Sequence, residues 1–150
     1  MNPPIRSLED REALRKGIIY GTIDVIATDH APHSKEEKSK GLEKSAMGVV
    51  GLETAFSAVY TSMVDTGLIT LERLVELMAI NPRKILGLPF KNIIEQGKSA
   101  DLTVVDINET YKVDSATFLS LGKATPYDGM TLKGKVKLTV SNGAVVYNAL

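Results

Sequence analysis

The chain is 150 residues long, 43% hydrophobic and 24% charged, with 18 basic residues balanced by 18 acidic ones and no cysteine. That balance gives no field for nucleic acid or an anionic membrane, and the missing thiols exclude disulfides and thiolate metal sites and suit a reducing cytoplasm. No apolar run approaches the roughly 18–20 residues that span a bilayer, and the proline-bearing start lacks the apolar core of a secretory signal, so the expectation is a soluble cytoplasmic protein.

In chain order, Pro3 and Pro4 make residues 1–6 an extended lead-in. Ser7 and Asp10 have the spacing of a capping box and open a helix to about Lys16. Gly17 and Gly21 bracket a turn into residues 23–27, an apolar and β-branched run read as a strand of parallel-sheet type. Residues 28–48 are polar and charged, a long loop of the kind compact domains keep as a lid or binding loop. Leu52, Ala55, Phe56, Val59, Tyr60 and Met63 then recur at helical spacing as one buried stripe that Gly67 ends. Thr70 caps a second helix whose apolar face is Leu71, Leu74, Val75 and Met78, and Asn81-Pro82 opens a short third one stopped by Gly87.

After Pro89 the apolar period falls to two. Residues 100–107 read as a strand, and residues 136–140 and 144–147 flank Asn142-Gly143, the strongest short signal for a hairpin with a type I′ turn. The chain therefore divides into a helical part, 1–88, and a β-rich part, 89–150. One parallel-type strand between helices cannot build a parallel sheet by itself, so the α/β pattern reads as the end of something larger.

The chemistry concentrates in Thr28-Asp29-His30-Ala31-Pro32-His33, which holds both histidines of the chain. A carboxylate and imidazoles at the end of a buried strand are how a barrel delivers catalytic groups to its C-terminal rim. An aspartate after a strand can simply cap the following turn, but with imidazoles one and four residues away Asp29 suits a metal ligand or general base. His30 suits either packing or ligation, and His33 could reach back as a cation or donor to a substrate anion. A catalytic zinc wants three protein ligands and an open position, more than this cluster offers.

The order of segments resembles the C-terminal part of the bacterial-type dihydroorotases, within the amidohydrolase superfamily. Asn2-Pro3-Pro4-Ile5-Arg6, the run from Gly21 through Thr28-Asp29-His30-Ala31-Pro32-His33, Gly48-Val49-Val50-Gly51-Leu52-Glu53-Thr54, Asn81-Pro82, Gly97-Lys98-Ser99-Ala100-Asp101-Leu102, Thr125-Pro126-Tyr127 and Gly134-Lys135-Val136 carry it. Allantoinases and hydantoinases usually have other residues after the aspartate. The resemblance implies the C-terminal fragment of a metal-dependent (β/α)8 barrel hydrolase, with the last barrel strand and flanking helices in 1–88 and part of a small β-domain in 89–150. It implies a zinc-dependent, reversible interconversion of N-carbamoyl-L-aspartate and L-dihydroorotate in pyrimidine biosynthesis. By position, Asp29 would ligate one of two Zn2+ ions and carry the proton; Asn2 and His33 would bind the substrate carboxylate; the backbone at Met47 and Gly48 would hydrogen-bond the ring.

The resemblance also implies that most zinc ligands lie on earlier strands, so the fragment is expected to be inactive alone. Its expected partners are the small-molecule substrate, the upstream barrel polypeptide or a second copy of itself, and no nucleic acid or membrane. Two other readings stand beside it: another cyclic amidohydrolase such as an allantoinase, and a non-catalytic dihydroorotase-like scaffold subunit for a partner such as aspartate transcarbamoylase.

Overall fold

The computed structural model describes residues 2–88 and 94–150; the change of period expected after Pro89 lies outside the described residues. The chain forms two compact units, each assembled from two segments: Met1–Ala55 with Lys112–Thr131, and Phe56–Tyr111 with Leu132–Leu150. Among the described residues no helix is long and apolar enough to cross a membrane.

The first unit opens with α1, Leu8–Ile19. Its start is the expected capping box: the Ser7 hydroxyl accepts from the Asp10 amide at 3.2 Å and the Asp10 carboxylate accepts from the Ser7 amide at 3.2 Å. Gly17 does not begin the turn, as the sequence had suggested, but lies within the helix. Its carbonyl accepts from the amides of Thr22 and Ile23, so the chain folds back against the helix end instead of leaving it. Residues 23–29 are the clearest departure from expectation: they form no strand. A parallel strand is held by ladders to neighbours, and the described residues supply only one bridge, His30 to Val49, with Ala31 N–H donating to Val49 O at 2.9 Å.

The expected long loop contains two short helices, α2 (Lys35–Lys38) and α3 (Gly41–Lys44). Ser34 and Glu37 make a second capping box at the head of α2, which explains why a polar segment holds a defined shape. Later in the chain, Ser115–Thr117 forms a 3-10 turn under an Asp114 cap, and Val113 is buried.

The second unit holds the later helices and most of the sheet. α4, Ala55–Val59, runs on as a π-helical turn, Tyr60–Val64. α5, Leu71–Val75, runs on as a second π turn, Glu76–Ile80, and then as α6, Asn81–Ile85. The Thr70 cap is present, its hydroxyl accepting from the Arg73 amide at 3.2 Å. The buried face matches only part of the one the sequence spacing predicted. Leu74 (1% exposed) and Leu77 (0%) are the buried pair, whereas Val75 is 40% exposed; Leu52 likewise falls before its helix and is 61% exposed. Phe56 and Tyr60 stack at 5.8 Å between ring centroids.

The sheet has the order β1-β2-β3, with β1 Leu102–Lys112, β2 Thr131–Ser141 and β3 Ala144–Asn148. β2 and β3 pair antiparallel about the expected turn, where Asn142 and Gly143 have φ of 49° and 81° as a type I′ turn requires. A bulge between Thr139 and Val140 shifts the register. β2 is tied to the helix by buried polar contacts: Ser57 Oγ donates to Gly134 O at 2.5 Å and receives from Tyr111 Oη at 3.0 Å. Lys135 and Lys137 share Glu109, which keeps that carboxyl below the usual carboxylate range.

Because Leu77 is sealed in this helix pair, Leu77→Ala is expected to cost about 2–5 kcal/mol in chemical denaturation. Val75→Ala, on the exposed side, should change stability by less than about 1 kcal/mol. Equal losses at the two positions would show that the buried face is the one predicted from the spacing.

Candidate active site

Four of the candidate residues meet within the first unit. Residues 30–33, an extended stretch that begins at the His30–Val49 bridge, lie against residues 47–51, and the contacts are made by His30 and His33. His33 Nε2 stands 2.8 Å from Met47 O; a carbonyl only accepts, so this nitrogen carries the hydrogen. His33 Nδ1 faces Glu37 Oε2 at 3.7 Å. Glu37 is held below the usual carboxylate range, first by the Ser34 backbone amide and then by the Ser34 hydroxyl.

Gly48 explains itself here. Its φ is +124°, and a Cβ would stand 2.6 Å from Ala31 Cβ and 3.2 Å from His33 Nε2. Only a residue without a side chain lets residue 48 lie this close to the histidine turn. Met47 is 62% exposed, so its side chain is not what fixes the segment.

Asp29 is exposed and takes a left-handed backbone conformation, φ 44°, which aspartate tolerates better than most residues. Its carboxylate makes no hydrogen bond or ion pair to any described residue. It therefore does not act as the turn cap that the sequence left open. His30 is the opposite case: Nδ1 accepts from the amides of Gly51 at 3.2 Å and Leu52 at 3.4 Å. That imidazole organises the start of the next turn. Asn2 lies exposed in the lead-in, and among the described residues no hydrogen bond or ion pair joins it to this group.

Three functional supports escaped the sequence reading. Lys38 Nζ donates to Ala46 O and Gly48 O, each at 2.9 Å. Glu53 accepts from the amides of Leu119 (2.8 Å) and Ser120 (3.1 Å) and from Ser120 Oγ (2.9 Å). Gly122 is buried against the turn: a Cβ there would stand 2.8 Å from His33 N and 2.9 Å from Pro32 Cβ. Val50 N–H, donating to Ala124 O at 2.9 Å, completes the seam between residues 50–53 and 119–124. The Ser34-x-x-Glu37 spacing was the one local signal that could have placed α2, and Lys38 with it. Glu53 depends on a segment 66 residues away, and Gly122 on the Pro32–His33 backbone far earlier in the chain, so neither had a local signal.

Among the described residues no three of His, Cys, Asp or Glu come together as a cation site. His30 engages the backbone through Nδ1 and His33 through Nε2, and neither is grouped with Asp29 in such a cluster. The residues of this chain do not by themselves fit a zinc pair, which needs three or four ligands per ion.

The profile of the amidohydrolase family matches residues 6–146, and the chain belongs to that family. Within it, the chain is 48% identical to the dihydroorotase of Bacillus pumilus and 50% identical to those of Bacillus licheniformis and Fusobacterium nucleatum, in each case over 147 residues. These alignments cover 98% of this chain and 34% of each relative, so the chain spans about a third of their length. The fold is similar to that of the L-hydantoinase (dihydropyrimidinase) of Arthrobacter aurescens, with a TM-score of 0.89 at 38% identity over 98% of this chain and 34% of that one. It is also similar to a D-hydantoinase of Thermus sp., with a TM-score of 0.88 at 25% identity over 99% of this chain and 33% of that one.

Two outcomes test this geometry. Gly48→Ala should destabilise the chain by about 1–3 kcal/mol in thermal unfolding and displace the His33 ring signals, because Ala31 cannot retreat from a 2.6 Å contact without moving the turn; a neutral substitution would contradict the close approach. For Glu53, burial raises the carboxyl pKa, but the amides of Leu119 and Ser120, the Ser120 hydroxyl and Lys123 together bring it below its ordinary 4.5. A carboxylate lowered on folding stabilises fully above that value and loses its contribution as pH falls through the folded pKa. The melting temperature of the wild type should therefore drop more steeply below about pH 4.5 than that of Glu53→Gln; parallel curves would refute it.

Proposed function

We propose that this chain is the C-terminal portion of a dihydroorotase-type cyclic amidohydrolase, one that opens L-dihydroorotate to N-carbamoyl-L-aspartate and closes it again in cytoplasmic pyrimidine biosynthesis. The observation that carries the reading is the meeting of Met47 and Gly48 with His33, four residues after an exposed aspartate with no hydrogen-bond or ion-pair partner among the described residues, in a chain about half identical to dihydroorotases along nearly its whole length. Residues 1–88 would form the closing strand and helices of a (β/α)8 barrel, and residues 89–150 part of its small β-domain. The irregular course of residues 23–29 is what such a strand adopts without its ladder neighbours.

In this reading each residue does a stated piece of chemistry. In ring opening, the oxygen of a water bonds to the ring amide carbon and the carbon–nitrogen bond breaks. Asp29 takes the water proton on a carboxylate oxygen and passes it to the departing nitrogen. His33 gives up its bond to Met47 O and donates Nε2–H to the substrate carboxylate, with Asn2 as a second donor. The Met47 and Gly48 N–H groups, which donate to no described residue, hydrogen-bond the ring. The zinc ligands of the family would come from segments other than these, with Asp29 adding one.

The alternatives differ in substrate and in activity. An allantoinase has no ring carboxylate for a His33 donor to meet, and a scaffold subunit for aspartate transcarbamoylase has no use for an unpaired Asp29 carboxylate. The chain alone is expected to bind no zinc tightly in calorimetric titration and to show no turnover. Substituted for the matching third of the Bacillus licheniformis dihydroorotase, it should open L-dihydroorotate, with Asp29→Asn lowering the rate about 10²–10⁴-fold. A hybrid that hydrolyses allantoin and leaves dihydroorotate untouched would move the assignment to the allantoinases. A folded hybrid without either activity would favour the scaffold.

A further inference from the structure

Residues 46–48 form a short strap between α3 and Val49, and side chains from residues 33–38 hold all three of its carbonyls. Lys38 Nζ takes the first and third, Ala46 O and Gly48 O, at 2.9 Å each. His33 Nε2 takes the one between them, Met47 O, at 2.8 Å. The backbone of Lys38 is itself fixed: its amide donates to Ser34 O at 3.1 Å and its carbonyl accepts from Ser45 Oγ at 2.9 Å. Ala46 N–H is spent on Glu37 O at 3.0 Å. The N–H groups of Met47 and Gly48 donate to no described residue.

A trans peptide is planar, and its N–H points opposite to its carbonyl. Whatever grips a carbonyl therefore aims the amide of the next residue. Lys38, on Ala46 O, aims Met47 N–H away from the ammonium. His33, on Met47 O, aims Gly48 N–H away from the imidazole. The second Lys38 bond, on Gly48 O, fixes the far end of the strap, where the chain meets the His30–Val49 bridge. Hydrogen bonds from a charged donor are the stronger kind, and this one donor spans both ends of a three-residue segment.

We propose that Lys38 is a positioning residue of the site: its ammonium, by holding the Ala46 and Gly48 carbonyls, sets Met47 N–H as a fixed main-chain donor to the substrate ring. This rests on the cyclic-amide reading above for the identity of the ring. The geometry of the strap does not depend on it. When His33 leaves Met47 O for the substrate carboxylate, Lys38 is the side chain that keeps the strap in place.

Three measurements decide it. In the wild-type chain, the Lys38 ammonium protons should exchange with water slowly enough to appear in a proton–nitrogen correlation and should couple to the carbonyl carbons of Ala46 and Gly48. An ammonium exchanging as freely as the exposed lysines overturns the proposal, and this arm decides even if a variant does not fold. In Lys38→Met, which keeps the aliphatic stem and removes the donors, the Met47 and Gly48 amide signals should move while those of α1 stay, and Lys38→Arg should return them toward their wild-type positions. An unmoved Met47 amide in folded Lys38→Met overturns it. In the hybrid enzyme, Lys38→Met should raise KM for L-dihydroorotate about tenfold with a smaller change in kcat, the scale of one misplaced hydrogen bond. An unchanged KM reduces Lys38 to a structural part and overturns the positioning role. A hybrid inactive on dihydroorotate defeats the cyclic-amide reading instead, while displaced amides still uphold what Lys38 does to the strap.

Discussion

The hydrogen bond from His33 Nε2 to Met47 O, 2.8 Å long, closes the chain between two residues 14 positions apart, and the candidate site takes its form from that closure. It brings an imidazole donor, a left-handed glycine and two unspent amides to one place. Around it, shorter-range bonds shape the intervening loop: the Ser34–Glu37 capping box starts α2, and the Lys38 ammonium returns from the end of α2 to the strap. Closing a loop of this size costs chain entropy that a single neutral hydrogen bond does not offset. The charged donor and the second cap supply the remainder.

The closed loop is held in turn by distant chain. Glu53 grips the Leu119–Ser120 backbone, Val50 bonds to Ala124, and Gly122 lies flat against the Pro32–His33 backbone where any side chain would intrude. This seam exchanges the conformational freedom of a surface segment for a rigid floor beneath the histidine. Asp29 is placed differently. It is exposed, in a backbone conformation that strains most residues, and its carboxylate has no hydrogen-bond or ion-pair partner among the described residues. Aspartate tolerates that conformation, so the fold can hold an acceptor open at the rim at little cost.

Much of this was legible in the residues. The capping box at Ser7, the Thr70 cap and the Asn142-Gly143 hairpin are local signals, each fixed by a few adjacent residues. The helix faces were legible only in part. Spacing pointed to Leu74 and Val75; Leu74 is buried, and Leu77 rather than Val75 joins it, because the packing partner selects which edge of an apolar stripe is covered. The strand over residues 23–27 was not realised, since a parallel strand is a property of its neighbours as much as of its own β-branched residues.

By itself, then, the sequence determined which candidate groups the chain carries, the local capping and hairpin signals and the family likeness of the whole run. Only the tertiary structure decided which of them meet. It set His30 to backbone organisation, joined His33 to Met47, left Asp29 open, and recruited Lys38, Glu53 and Gly122. The physical reason is that a hydrogen bond between residues far apart in sequence depends on where the fold carries both of them, and no spacing within a single segment encodes that.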